Sequence, residues 1–414
     1  MKSDDTRIVI TGIGVVSPIG IGKEAFWQGL KEGRSGIKPV TLFDTSTTRS
    51  KLAAEITNFK PEEILGSTGL KNMDRTTKLA LCAAKLALGD ANFQVSEENA
   101  VDTGVVLGST NGSVYSVSEF DKKALRDGPY TVNPALFPNL VMCSAPSQVA
   151  IKFGIKGLSS TVASGFNSGF SAVQYGINMM RNGHVKYALV GSVEELCEQT
   201  YKAFHQLRLL SGSKEGEDEL SAPLDRRRNG FVMGEGAVIF MLETLETAKE
   251  RKVKVYAEIS GVFEENSFVN LSRLKPYLND IDDLADSIRR NNNFNTDGID
   301  FVSIGVNSSK VRDLLETRVV NRFFSDGNDP AISGIKSLVG ESFSAANSFQ
   351  ILGSLFCMDT NFIFPTVGLE KMDRCCRVNN LIQKPTSKKV NKSFICSADF
   401  GLPVNFLTLE KMNH

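Results

Sequence analysis

Apolar residues are spaced along this chain in two alternating ways. Short buried runs occur at Ile8-Val9-Ile10, Val101 to Leu107, Tyr187 to Gly191, Ala237 to Leu242, Lys254 to Val262, Phe301 to Ile304, Ala331 to Ser333, Ser393 to Ser397 and Asn405 to Glu410. Their length and bounding turn residues predict strands covered on both faces. Between them the apolar spacing becomes helical: from near Lys23, over Asp74 to Ala91, Ser109 to Leu125, Ser144 to Phe153, up to Arg251, over Ile281 to Asn291, Val311 to Phe324 and Ser344 to Met358. The alternation runs through once and then starts again at Lys254. Two successive β/α series of similar order predict a pseudo-duplicated α/β architecture, with the seam between halves 1–253 and 254–414.

The first series is organised around Leu158-Ser159-Ser160-Thr161-Val162-Ala163-Ser164-Gly165-Phe166-Asn167-Ser168-Gly169. A strand enters a tight turn at Gly165, and Phe166, Phe170, Val173, Ile177 and Met180 then mark one helix face. The first-turn N–H groups of such an elbow suit a nucleophile or an anion. Phe166 can be neither. A second face of interest is Ser113, Ser116, Val117 and Phe120, where small residues beside a large one would suit a channel wall as well as ordinary packing.

Composition narrows the picture. The 414 residues are 41% hydrophobic and 23% charged, with 47 basic and 47 acidic side chains, so no global field draws the chain to nucleic acid or to a membrane surface. Arg226-Arg227-Arg228 and the run Lys384 to Lys392 read as solvated surface. No apolar run is long enough to span a membrane and Met1 to Asp5 carry no signal-peptide pattern, so a cytosolic protein is expected. Seven cysteines lack paired spacing for zinc or redox work and read as free thiols. Gly12 and Gly14 begin a dinucleotide-like loop, but Ser17 stands where the third glycine belongs. Histidine is confined to His184, His205 and His414, which limits general-base chemistry.

Val9 to Pro18 with Phe26-Trp27 and Gly33 to Ile37, Asp225 to Gly236, and Phe400-Gly401 together resemble the β-ketoacyl synthase family of condensing enzymes, over nearly the whole chain. The resemblance implies a thiolase-like fold, a duplicated five-layered α/β/α/β/α arrangement that dimerises, and no cofactor or metal. Condensing members use an elbow cysteine as acyl acceptor and two histidines for decarboxylation and charge stabilisation. In this chain the three positions fall on Phe166, Gly305 and Glu341, while the lysine of the second histidine motif remains as Lys336.

A scaffold kept without its nucleophile is similar to the chain length factor subunits of type II polyketide synthases. The resemblance implies a heterodimer with a catalytic ketosynthase α-subunit, an acyl carrier protein that meets either this chain or only that partner, and a tunnel wall at Ser113, Ser116 and Phe120. That subfamily usually carries glutamine where this chain has Phe166. An aromatic polyketide is the expected product. The alternatives are a subunit of an aryl polyene or related fatty-acid-like system, and a residual malonyl decarboxylase or hydrolase in which Glu341 acts as base beside Ser164, Ser168 or Lys336.

Overall fold

The structure is a computed structural model, and it describes residues 6–213, 219–266, 282, 283, 286, 296–324, 329–398 and 403–412. The helix expected over 281–291 lies almost wholly outside them, as do the Phe400-Gly401 turn and His414.

Ten strands form two five-stranded halves. In the first, β1 (Ile8–Ser17), β2 (Thr103–Gly108), β3 (Ser159–Val162), β4 (Tyr187–Glu194) and β5 (Gly236–Thr244) lie in the order β3-β2-β4-β5-β1. In the second, β6 (Ala257–Asn266), β7 (Phe301–Ile304), β8 (Ala331–Ser333), β9 (Lys392–Ala398) and β10 (Pro403–Glu410) lie in the order β8-β7-β9-β10-β6. Each half runs third, second, fourth, fifth, first. In each, the first three strands of that order are parallel and the last two antiparallel. Identity of order and direction makes the duplication a property of the topology. The halves meet where Val9 and Ile10 pair with Glu258 and Ala257.

The helices make the other layers. We label them α1 (Lys23–Glu32), α2 (Arg75–Asp90), α3 (Val114–Asp127), α4 (Ser144–Phe153), α5 (Ser168–Arg181), α6 (Glu198–Gln206), α7 (Leu245–Arg251), α8 (Lys310–Phe323) and α9 (Ser344–Thr360). α5 and α9 pack on each other between the two half-sheets, α2 and α4 cover the outer face of the first, and α8 covers the second. Every residue of α9 from Ser344 to Met358 is buried, as expected of a helix with strands on both sides. Sheets faced on both sides need apolar residues at successive positions, and all ten residues of β1 are buried.

Gly12 and Gly14 serve this packing. A Cβ at Gly14 would overlap the Ala83 carbonyl, and one at Gly12 the Ala87 carbonyl and Ala91. The glycines and the alanine face of α2 let helix and strand approach closely, which accounts for the dinucleotide-like spacing without a nucleotide.

The two outer strands differ. The free side of β8 is covered, since Ile332 N donates to Asn380 O at 3.0 Å and Ile382 N to Ile332 O at 2.8 Å. β3 is the last strand at the opposite end of the order, and no described strand pairs with its other side.

Two expectations need correction. Arg228 is not surface: it is buried, with Nε 3.2 Å from Asp313 and Nη1 2.9 Å from Asp373. α3 starts at Val114, not Ser109, because Gly112 takes φ +62° and Ser113 lies outside helical geometry. Among the described residues all seven cysteines are free, and no helix is long and apolar enough to cross a membrane.

Candidate functional site

The elbow forms as the sequence predicts, with one change. Gly165 takes φ +73°, and a single 3₁₀ turn over Gly165–Asn167 precedes α5. The Ser168 hydroxyl closes the turn, accepting from Ser164 N at 2.9 Å and donating to Gly165 O at 2.5 Å. Phe166 leaves this turn into an aromatic cluster. Its ring meets Phe343 edge-on at 4.8 Å between centroids, and Phe204 lies 6.3 Å away. Phe204 stacks on Phe343 at 5.1 Å and reaches Phe231 at 5.7 Å. Such edge-to-face and stacked pairs add to burial itself. On the Phe166 face, the Arg312 guanidinium carbon sits 5.2 Å from the ring centroid, within cation–π range.

Glu341 and Gly305 lie in the same neighbourhood. Glu341 Oε2 accepts from Lys336 Nζ at 2.9 Å and from Asn307 Nδ2 at 2.7 Å, and Oε1 accepts from Phe343 N at 3.1 Å. Arg312 Nη1 is 3.6 Å from the same carboxylate. Burial works to raise the pKa of Glu341, but the charges of Lys336 and Arg312 and the Lys336 and Asn307 hydrogen bonds outweigh it and hold Glu341 below the ordinary range. Lys336 is lowered, first by burial and then by Arg312.

At Gly305 the space for a side chain is taken. A Cβ would overlap the Glu316 carboxylate, whose Oε2 accepts from Gly305 N at 3.2 Å and Oε1 from Ala398 N at 2.6 Å. Burial raises Glu316, with the charges of Arg312 and Lys336 opposing. Two cations, Arg312 and Lys336, thus face two carboxyl groups, Glu316 and Glu341, and all four residues are buried. Arg312 also donates to Ser397 Oγ at 3.3 Å. This set compensates its own charge; Glu341 is an ionised acceptor rather than a base with a raised affinity for protons.

Several predicted partners separate. Ser164 bonds Ser171 Oγ at 2.8 Å, and Ser168 holds the turn; Lys336 alone of the three residues considered beside Glu341 bonds to it. His184 lies just past the C-terminus of α5 and His205 within α6. Arg312, Glu316, Phe204 and Phe343 escaped the sequence reading. The available sign for Arg312 and Glu316 was their i, i+4 spacing on α8, which puts both on one face. Among the described residues no group of three or more His, Cys, Asp or Glu is arranged to hold a metal ion.

The face of α3 divides. Ser116 and Phe120 line a cleft of about 1040 Å³ bounded by Phe43, Met73, Leu140 and Leu196, whereas Ser113 borders a separate small pocket with Met142 and Thr161. Val117 is exposed on the outer side.

Comparison with known proteins places this geometry. The family model for the N-terminal domain of β-ketoacyl synthases matches residues 5–248, and that for the C-terminal domain matches 256–370. The chain belongs to the β-ketoacyl synthase family. It is 30% identical over 411 residues to the tetracenomycin polyketide synthase ketoacyl synthase alpha subunit of Streptomyces glaucescens, covering 96% of this chain and 95% of that protein. It is 28% identical over 408 residues to a 3-oxoacyl-[acyl-carrier-protein] synthase 2 of Coxiella burnetii, covering 98% and 99%. Among solved structures, the ishigamide ketosynthase/chain length factor superposes with a TM-score of 0.87 at 25% identity, over 99% of this chain and 100% of the other. The fold is therefore the thiolase-like fold of ketosynthases.

Proposed function

We propose that this chain is the non-condensing subunit of a type II polyketide synthase, a chain length factor that pairs with a catalytic ketosynthase and bounds the cavity in which the polyketide grows. The observation that carries this reading is Phe166: the position a condensing enzyme gives to its nucleophile is an aromatic ring packed on Phe343 and faced by Arg312. Around it, Glu341 is neutralised by Lys336 and the Gly305 position has no room for a side chain. A residual decarboxylase is disfavoured by the same contacts, because the Glu341 side chain is 0% exposed and both its oxygens are engaged.

The partner surface is supported by the outer side of β3, which no strand among the described residues pairs with, and by large apolar side chains exposed on α3 and the segment after it, including Val117, Tyr130, Phe137, Val141 and Met142. Apolar exposure on this scale marks an interaction surface. The carrier protein delivers to the partner, whose cysteine holds the growing chain. We read the product as an aromatic polyketide.

The test is co-purification with the ketosynthase from the same gene cluster, followed by malonyl-carrier turnover and intact-mass measurement of both subunits. Acyl adducts are expected on the partner alone, and product formation is expected to stop when this chain is omitted. An adduct on this chain, or turnover by it in isolation that Glu341→Gln removes, would overturn the reading. A conjugated polyene product would correct the aromatic assignment and leave the subunit role standing.

A further inference from the structure

α3 carries Ser116 and Phe120 into the cleft, yet it has no buried residue of its own. Apolar packing therefore does not fix its place. Its Ncap, Ser113, makes no side-chain capping hydrogen bond, so a first-turn donor must be met from elsewhere.

It is met from the end of β4. Glu195, 5% exposed, accepts from Tyr115 N at 3.1 Å. Glu194, fully buried, accepts from Thr110 N, from Ser109 Oγ at 3.3 Å and from Ser344 Oγ at 2.7 Å. Successive residues of an extended segment point to opposite faces, so Glu194 reaches the central helix layer and Glu195 the outer one. The Thr110 hydroxyl completes the link, donating to Gly165 O at 2.9 Å and accepting from Ser344 N at 3.2 Å. The segment 109–115 is thus tied to two carboxylates, to the elbow and to the start of α9. Burial lifts both carboxyl groups to about 7, a cost the fold carries although neither group touches the Phe166 cluster or the four-charge set described above.

We propose that Glu195, acting with Glu194, is the positioning residue for α3 and so fixes the wall of the product cavity at Ser116 and Phe120. The inference rests on the chain-length reading above. A carboxylate acceptor at a helix N-terminus also complements the helix dipole, so loss of Glu195 frees the first turn and lets the wall shift.

The test uses this chain in complex with its ketosynthase, reading hydrogen–deuterium exchange over 113–127 together with the product-length distribution. Glu195→Ala is expected to speed exchange in the first turn of α3 about tenfold and to broaden product length. Glu195→Gln keeps an acceptor oxygen in place and should restore both. If Glu195→Ala does not fold, Tyr115→Pro removes the same hydrogen bond from the donor side, where a first-turn proline is tolerated, with Tyr115→Ala as its control. Unchanged exchange in Glu195→Ala and Tyr115→Pro overturns the proposal. Faster exchange with an unchanged product leaves the positioning role intact and sinks the chain-length reading instead.

Discussion

On the reading proposed above, Glu341 stands where a condensing enzyme carries a histidine, and its contacts give it a structural role instead. It sits between Lys336 and Arg312, both buried, so removing it leaves two buried cations facing Glu316 alone of the two carboxyl groups in the set. Glu341→Ala should therefore cost about 3–5 kcal/mol, measured as a fall in the urea midpoint at unchanged slope. Restoring the family residues one at a time should fail for a different reason at each position. Gly305→His must displace the Glu316 carboxylate, and overpacking of this kind costs about 1–3 kcal/mol or more. Phe166→Cys removes a ring from four mutually packed phenylalanines and places a thiol beside a charge set with no base of raised affinity, so intact-mass analysis should show no acyl transfer to it. Motif matching alone points to Phe166, Gly305 and Glu341, and the structure brings these three positions into one neighbourhood. The charged groups around them were not legible in this way, because Arg312 and Glu316 lie in Lys310-Val311-Arg312-Asp313-Leu314-Leu315-Glu316, a pattern that reads as the solvent face of a helix. Arg312, Asp313 and Glu316 are all buried; Asp313 holds the loop before α8 through Asn307 N at 2.9 Å and the segment ahead of β5 through Leu224 N at 2.7 Å.

At the scale of elements, the strands Phe301–Ile304 and Ala331–Ser333 have the bounds the apolar runs predict, because every residue of a strand covered on both faces is buried and the run ends where burial by the sheet ends. Helix starts were harder. α3 was expected five residues early because Ser109 to Ser113 is small and polar, and nothing in that spacing reveals that Glu194 takes the Thr110 N–H and that the chain turns at Gly112 with φ +62° before the helix begins. We propose that the seam at 253/254 divides two units of the duplication; the second pass of the topology begins at Ala257. On the reading proposed above, the elements also set how the partner docks. Among the described residues no strand pairs with the outer side of β3, and Val141 and Met142 stand exposed at 41% each just ahead of α4. Met142→Asp should abolish the 1:1 complex in size-exclusion chromatography while leaving the thermal midpoint of the isolated chain within a few degrees, since an exposed side chain contributes little to folding. On α3 itself, Ser116→Phe should shorten the product more than Ser113→Phe, because Ser116 lines the larger cleft and Ser113 a separate pocket.

For the whole molecule, stability should depend on pH in a direction set by carboxyl groups that do no chemistry. Glu194 and Glu195 are raised by burial to about 7, above the usual carboxylate range. The charged groups around them are Asp74, itself raised by burial, and Arg75, which is paired with Glu235 at 2.6 Å. A group whose folded value exceeds its unfolded value binds its proton more tightly in the fold, so its contribution is complete at low pH and is lost as pH rises through the folded value. On the acid side the sign reverses. Burial opposes ionisation of Asp225, but Arg227 and the N–H groups of Lys371, Arg227 and Glu370 hold it below the usual range, and Glu341 is lowered by Lys336 and Arg312 against burial. Those groups stabilise the fold only while ionised. Stability measured by urea unfolding should therefore peak at about pH 4.5, fall below about pH 4 as the unfolded chain takes up protons that the folded Asp225 and Glu341 resist, and decline by roughly a few kcal/mol from there towards pH 8.5. The paired substitution Glu194→Gln, Glu195→Gln should make the alkaline limb shallower and leave the acid limb unchanged, since an amide keeps the acceptor oxygen without the buried charge and Glu219, also raised by burial to about 7, supplies the rest. A wild-type profile that rises from pH 5.5 to 8.5 would show that these two carboxyl groups are solvated in the folded chain, and that the start of α3 is held by something other than them.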